Sequence, residues 1–133
     1  GQIKSLNNIG SLYDAGLGVE QDKREAVRYY RQSANAGNGR GIKNLGFMYQ
    51  AGAGVERNMK EAASLMLRAL REGDAYPDLV TQKGKTPITG DLRVAIQERM
   101  RSEGFYNGPI NADMGDSFDA TTIAALQTYA RAR

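Results

Sequence analysis

Shifting the sequence by 36 residues lays one stretch of the first half on the next, and this repeat constrains the fold more than any other feature. Asn8 falls on Asn44, Gly10 on Gly46 and Tyr13 on Tyr49. The run Ala15, Gly16, Gly18, Val19, Glu20 falls on Ala51, Gly52, Gly54, Val55, Glu56. Glu25 and Ala26 meet Glu61 and Ala62, and Gly1 meets Gly37, giving eleven identities in 36 positions. Ile9/Leu45 and Leu12/Met48 are apolar exchanges. Units of this length bury their apolar faces by stacking on one another, so the repeat predicts an array.

Within each unit the pattern is that of a helical hairpin. Leu6, Ile9, Gly10 and Tyr13 recur at three- and four-residue steps, which is one face of a helix. The glycine-rich segments AGLGV and AGAGV end that helix, because glycine accepts the left-handed backbone that other residues resist. A second helix is expected from Lys23 or Arg24 to Ala34, with Ala26, Tyr29, Tyr30 and Ser33 turned inward. Asp22 and Asn58 stand just before the second helices, where short polar side chains cap free N–H groups. Gly37 and Gly73 are expected to end them. Gly10 and Gly46 sit inside the first helices at a cost of about 1 kcal/mol each, which implies a neighbouring helix crossing too closely for a Cβ.

The residues NIGSLYDAGLGVEQDKREAVRYY and NLGFMYQAGAGVERNMKEAASLM closely resemble the Sel1-like repeat family, relatives of the tetratricopeptide repeats. The resemblance covers residues 1–74, with units at 1–36 and 37–72. It implies an all-α fold, an α–α hairpin solenoid, and a role as a non-catalytic adaptor or scaffold. The family is often found in bacterial envelope and signalling proteins, so the periplasm or cell envelope is the implied location. The second unit departs in its last helix, where Leu65, Met66 and Leu67 replace Tyr29, Tyr30 and Arg31. With Ala62, Ala63, Ala69 and Leu70 they make that helix apolar almost all round. A terminal repeat should be polar outside, so residues 60–72 are predicted to be covered by the C-terminal part of the chain.

Residues 75–91 hold two prolines, two glycines and several threonines, and read as a linker. Thr89 or Asp91 is placed to cap a helix starting near Leu92 and ending at Gly104. A turn-rich loop and a last helix after Asp119 complete residues 92–133. In order, Gln97, Gly104, Phe105, Tyr106, Gly108, Pro109, Ile110, Phe118, Thr122, Ala125, Leu126 and Tyr129 resemble the peptidoglycan-binding-domain-like family. That likeness covers about residues 85–133. It implies a small helical module packed on the C-terminal end of the solenoid, with cell-wall glycan or its peptide stem as a ligand. A competing reading makes 92–133 a degenerate further repeat, with helix 92–102 stacked parallel to residues 39–50.

Composition narrows the chemistry. The chain has 133 residues and no His, Cys or Trp, which excludes thiol nucleophiles, histidine bases, disulfides and thiolate or imidazole metal sites. No cofactor, metal or catalytic residue is expected, and no apolar run is long enough to span a membrane. A chain that opens on Gly1 without a signal pattern is expected to be a piece of a larger protein. Residues 1–74 carry a charge of +3 and residues 75–133 are neutral, without the dense basic stripe of a nucleic-acid binder. The AGxGV segments lack the Lys-Ser/Thr and the strand of a phosphate loop, and read as turns. Asp113, Asp116 and Asp119 lack a calcium loop's alternating ligands and distal Glu, and read as loop caps. Glu98 and Asp91 are a carboxylate pair that nothing places in a cleft. Gln97 reads as a structural hydrogen-bonding residue or a sugar contact.

Binding should fall on positions that vary between the units. Lys4/Arg40, Asn7/Lys43, Ser11/Phe47 and Asp14/Gln50 share one phase of the first helices and differ between repeats. From these the candidate binding residues are Lys4, Asn7, Ser11, Arg40, Lys43, Phe47 and Gln50, facing an acidic or extended peptide. Tyr106 and Asn107 are the candidates in the C-terminal module. Tyr13 and Tyr49 lie in the core phase and read as packing residues, with ligand stacking as the other reading. The expected function is a protein-interaction scaffold, anchored to the bacterial wall through its C-terminal module. The alternative is an accessory tail of a larger hydrolase, wall lytic or caspase-like, whose catalytic domain lies outside this chain.

Overall fold

The structure is a computed structural model and describes residues 2–72, 88–110 and 120–132, with the side chains of residues 2–4 excepted. The described residues form six helices and no strand: α1 (Gln2–Ala15), α2 (Lys23–Asn35), α3 (Gly39–Ala51), α4 (Met59–Arg71), α5 (Gly90–Ser102) and α6 (Ala120–Arg131). The repeat emerges as two hairpins, α1–α2 and α3–α4, with α3 packed on α2.

Matching residues set matching boundaries. Asp22 caps α2 by accepting from the N–H groups of Arg24 and Glu25, and Asn58 caps α4 by accepting from that of Glu61. The N–H of Asp22 donates to the Tyr13 carbonyl, and that of Asn58 to the Tyr49 carbonyl. These paired bonds close the two AGxGV turns in the same way. α3 ends on Gly52 in the left-handed region, and Gly16 holds the matching conformation after α1.

The hairpins close tightly because α1 and α3 carry glycine where their partners cross. A Cβ on Gly10 would lie 2.7 Å from the Tyr30 ring, and one on Gly46 would lie 2.8 Å from the Met66 Cε. Tyr30 and Met66 occupy equivalent positions, so both hairpins solve one packing problem with different side chains. The core runs on through Ala26, Ile42, Leu45, Ala62, Met66 and Leu70. Gly73 lies outside the described residues, as does most of the linker at 75–91.

α4 is buried along its whole apolar circumference, from Ala62 to Leu70. α5 covers it, α6 covers it further, and Leu92, Ile96, Met100 and Leu126 extend the core. The sequence expectation that residues 60–72 are covered is met. α5 starts at Gly90, two residues before Leu92, because Thr89 rather than Asp91 caps it by accepting from the N–H of Leu92.

The direction of α5 differs from a further repeat. Its N-terminus lies at the C-terminal end of α3, where the N–H of Thr89 donates to Gln50 Oε1 at 3.0 Å. Arg57, just before α4, pairs with Asp91 at 2.7 Å. At its other end, Arg99 and Glu103 share a depression with Arg68 and Arg71 in the last turns of α4. α5 therefore runs in the same general sense as α4, whereas α3 turns back against α2. A helix stacked parallel to residues 39–50 would begin beside Gly39, so the further-repeat reading of α5 is corrected by this contact.

Candidate functional site

The variable positions of α1 and α3 divide into a buried set and an outward set. Lys4 lies in α1, with its side chain outside the described residues. Asn7 is buried, and its Oδ1 accepts from Asn44 Nδ2 at 2.9 Å, tying α1 to α3. Gln50 is buried and holds the start of α5. Ser11 is exposed; its hydroxyl donates to the Asn7 carbonyl and accepts from the Tyr30 hydroxyl at 3.3 Å. Arg40 is exposed on the first turn of α3, and Lys43 and Phe47 are half-buried one and two turns later. Arg40, Lys43 and Phe47 thus form the outward part of the predicted set, with Ser11 at its edge.

The two repeated tyrosines pack against the core at their flanks. Tyr13 stacks on Tyr29 with ring centroids 5.7 Å apart and planes 8° apart. The Tyr49 hydroxyl accepts from Arg31 at 2.9 Å. Tyr30 is 3% exposed and bonds to Asp14 as well as Ser11. Burial pushes its hydroxyl up to about 12, with the Asp14 charge acting in the same direction and the Ser11 bond against it.

In the C-terminal part, Tyr106 is 1% exposed and its hydroxyl donates to the Pro109 carbonyl at 2.7 Å. Gln97 is fully buried, and its Nε2 donates to Thr122 Oγ1 at 2.9 Å. Thr122 in turn donates to the Tyr106 hydroxyl at 3.4 Å, so one polar chain runs from α5 through α6 to the turn. Burial and this bond give Gln97 the structural role rather than the sugar contact. Asn107 is exposed on the rim of an open depression of about 490 Å³, beside Gly108, Thr121, Ala124 and Thr128. Asp113, Asp116, Asp119 and Phe118 lie outside the described residues. Among the described residues no group of carboxylates is placed to hold a metal ion, and no helix is long and apolar enough to cross a membrane.

A second cluster was not singled out by sequence. Arg71, at the end of α4, lies over the Tyr129 ring of α6 with its Cζ 3.8 Å from the centroid, and 5.7 Å from that of Phe105. Phe105 meets Tyr129 edge to face at 4.8 Å. The Tyr129 hydroxyl donates to Glu103 Oε2 at 3.2 Å, and Arg99 Nε donates to the same oxygen at 3.0 Å. Burial raises the Tyr129 hydroxyl above its ordinary value, and the Glu103 charge adds to it. The only sequence trace is the pair Arg68 and Arg71, one turn apart; Arg99 and Tyr129 reach them through the fold.

Comparison with known proteins tracks the hairpins closely. The Sel1 repeat model matches residues 3–38 and 40–74, together more than half of the chain. The chain belongs to the Sel1 repeat family. A crystal structure of a Sel1 repeat protein from Oxalobacter formigenes is similar with a TM-score of 0.59 and 23% identity, over 96% of this chain. That likeness concerns the fold, and the chain spans 42% of that protein's length. No curated protein matches the sequence. The Sel1 match ends at residue 74, so the assignment rests on the two hairpins and leaves α5 and α6 as the elements the array packs against.

Proposed function

We propose that this chain is a non-catalytic protein-interaction scaffold that holds an acidic or extended peptide on the outward positions of α1 and α3. One observation carries the reading. The identical positions at the helix crossings, Gly10/Gly46 and Ala26/Ala62, are buried, while Arg40, Lys43 and Phe47 differ from their counterparts and reach the surface. A rigid array with varied side chains on repeated helices suits recognition by many small contacts. Two cations beside an aromatic ring favour an acidic segment with an apolar anchor. The test is a selection of displayed peptides on the wild-type chain, then titration of the best binders against the Arg40→Glu/Lys43→Glu variant. Enrichment of acidic sequences and at least about tenfold weaker binding by the variant are expected. Equal affinity for both proteins would overturn the assignment.

A second reading concerns the C-terminal part, in which α5, α6 and the turn at 103–110 attach the scaffold to bacterial cell wall. The open depression beside Asn107 favours it, because that candidate residue is exposed on the rim of the depression. Buried Tyr106 would then shape the turn, with Asn107 meeting the glycan. Co-sedimentation with purified sacculi, reduced by Asn107→Ala, is the expected result. Wild-type protein left wholly in the supernatant would remove the anchoring role.

A further inference from the structure

The depression where α4, α5 and α6 meet is lined by Ser64, Arg68, Arg71, Arg99, Glu103 and Tyr129, and holds about 210 Å³. Three guanidinium groups face one carboxylate in that lining. Glu103 is already engaged by Arg99 and by the Tyr129 hydroxyl. Arg68 is held by the Ala34 carbonyl at 3.0 Å and by Glu72 at 3.7 Å. Arg71 is different. Its guanidinium is fixed over Tyr129, and its Nε is buried with no acceptor among the described residues. A cation that is pre-oriented by a ring and has no carboxylate partner among the described residues is arranged for one supplied from outside. Arg99 uses its Nε on Glu103, and among the described residues its terminal amines have no partner, so they add a second fork.

We propose that this depression binds a carboxylate side chain of an acidic peptide, with Arg71 as the oriented donor and Arg99 as its partner. Tyr129 positions Arg71, and Glu103 positions both Arg99 and Tyr129. The site is built by α4, α5 and α6, and it stands independently of the face formed by α1 and α3. It also gives α5 and α6 a role that the hairpins alone do not supply: without Arg99 and Tyr129 the end of α4 is only a pair of surface arginines.

The experiment monitors the arginine Nε–Hε resonances of the isotopically labelled chain. The probes are end-capped tetraglutamate, end-capped tetraglutamine and inorganic phosphate. Saturable shifts of Arg71 and Arg99 with tetraglutamate, none with tetraglutamine, and at least about tenfold weaker binding in Arg99→Gln are expected. Arg99 is exposed, so this variant keeps the core intact where Arg71→Gln would disturb the stack on Tyr129. The Arg40→Glu/Lys43→Glu variant should bind tetraglutamate here unchanged, which separates this site from the α1–α3 face. No saturable shift, equal shifts with tetraglutamine, or full binding by Arg99→Gln would overturn the proposal. Binding of phosphate without tetraglutamate would overturn the carboxylate assignment.

Discussion

The ring of Tyr30 fills the space into which a Cβ on Gly10 would project, with two ring carbons 2.7 Å from that point. In the second hairpin the corresponding pair is Gly46 and Met66, where the obstructing atom is the terminal methyl of a flexible side chain. Gly10→Ala should therefore destabilise more than Gly46→Ala. Each gains about 1 kcal/mol of helix propensity. Overpacking against the rigid ring, already tied to Asp14 and Ser11, costs about 1–3 kcal/mol. Met66 should swing aside for less. Urea unfolding midpoints of the two variants check the order.

Gly18 and Gly54 make a second matched pair with unequal surroundings. Both have left-handed backbones, at φ 77° and 73°. Nothing lies near a Cβ on Gly18, whereas one on Gly54 would meet the Lys23 carbonyl of the first hairpin at 2.4 Å. Gly18→Ala should cost only the conformational term, about 1–2 kcal/mol. Gly54→Ala should cost clearly more, because backbone cannot step aside. Thermal melting of both variants measures the difference.

Gln97 and Thr122 should behave as a coupled pair. Either single change, Gln97→Leu or Thr122→Val, removes the buried bond between Gln97 Nε2 and Thr122 Oγ1 and is expected to cost about 1–3 kcal/mol. Changing both removes both groups, so the double variant should lose well under the sum. A double-mutant cycle by denaturant unfolding measures that coupling.

Gln50→Ala should loosen α5 while sparing α1 and α2. The Thr89 N–H loses its acceptor at the start of α5, a loss of about 1–2 kcal/mol. Hydrogen exchange should quicken across residues 90–102 ahead of residues 23–35.

Alkaline pH should unfold the wild type ahead of Tyr30→Phe. The Tyr30 hydroxyl is raised from 10.0 to about 12 in the folded chain. Between those values the unfolded chain has released the proton and the folded chain keeps it, so stability falls as pH rises. The contribution is whole below pH 10 and amounts to on the order of 2 kcal/mol. Unfolding free energies across that window should fall more steeply for wild type than for Tyr30→Phe.

Much of the array was legible because its causes are local. Asp22, Asn58 and Thr89 cap the helices that begin just after them, and the AGxGV glycines set turns by backbone angle alone. The candidate surface was less legible. Helical periodicity puts Asn7, Lys43 and Gln50 on one phase, but it does not tell a residue facing solvent from one facing a neighbouring helix. Asn7 meets Asn44 and Gln50 meets Thr89, contacts across 37 and 39 residues that no local pattern contains.

By itself, the sequence determined two hairpins of 36 residues, the glycine crossings inside them and an apolar fourth helix that required a cover. Tertiary structure alone decided how that cover lies. A helix's apolar stripe specifies a face to bury, and it carries no information on which end of its neighbour it should start from. Gln50 and Thr89 settle that choice for α5, and the choice brings Arg99, Glu103 and Tyr129 to Arg71.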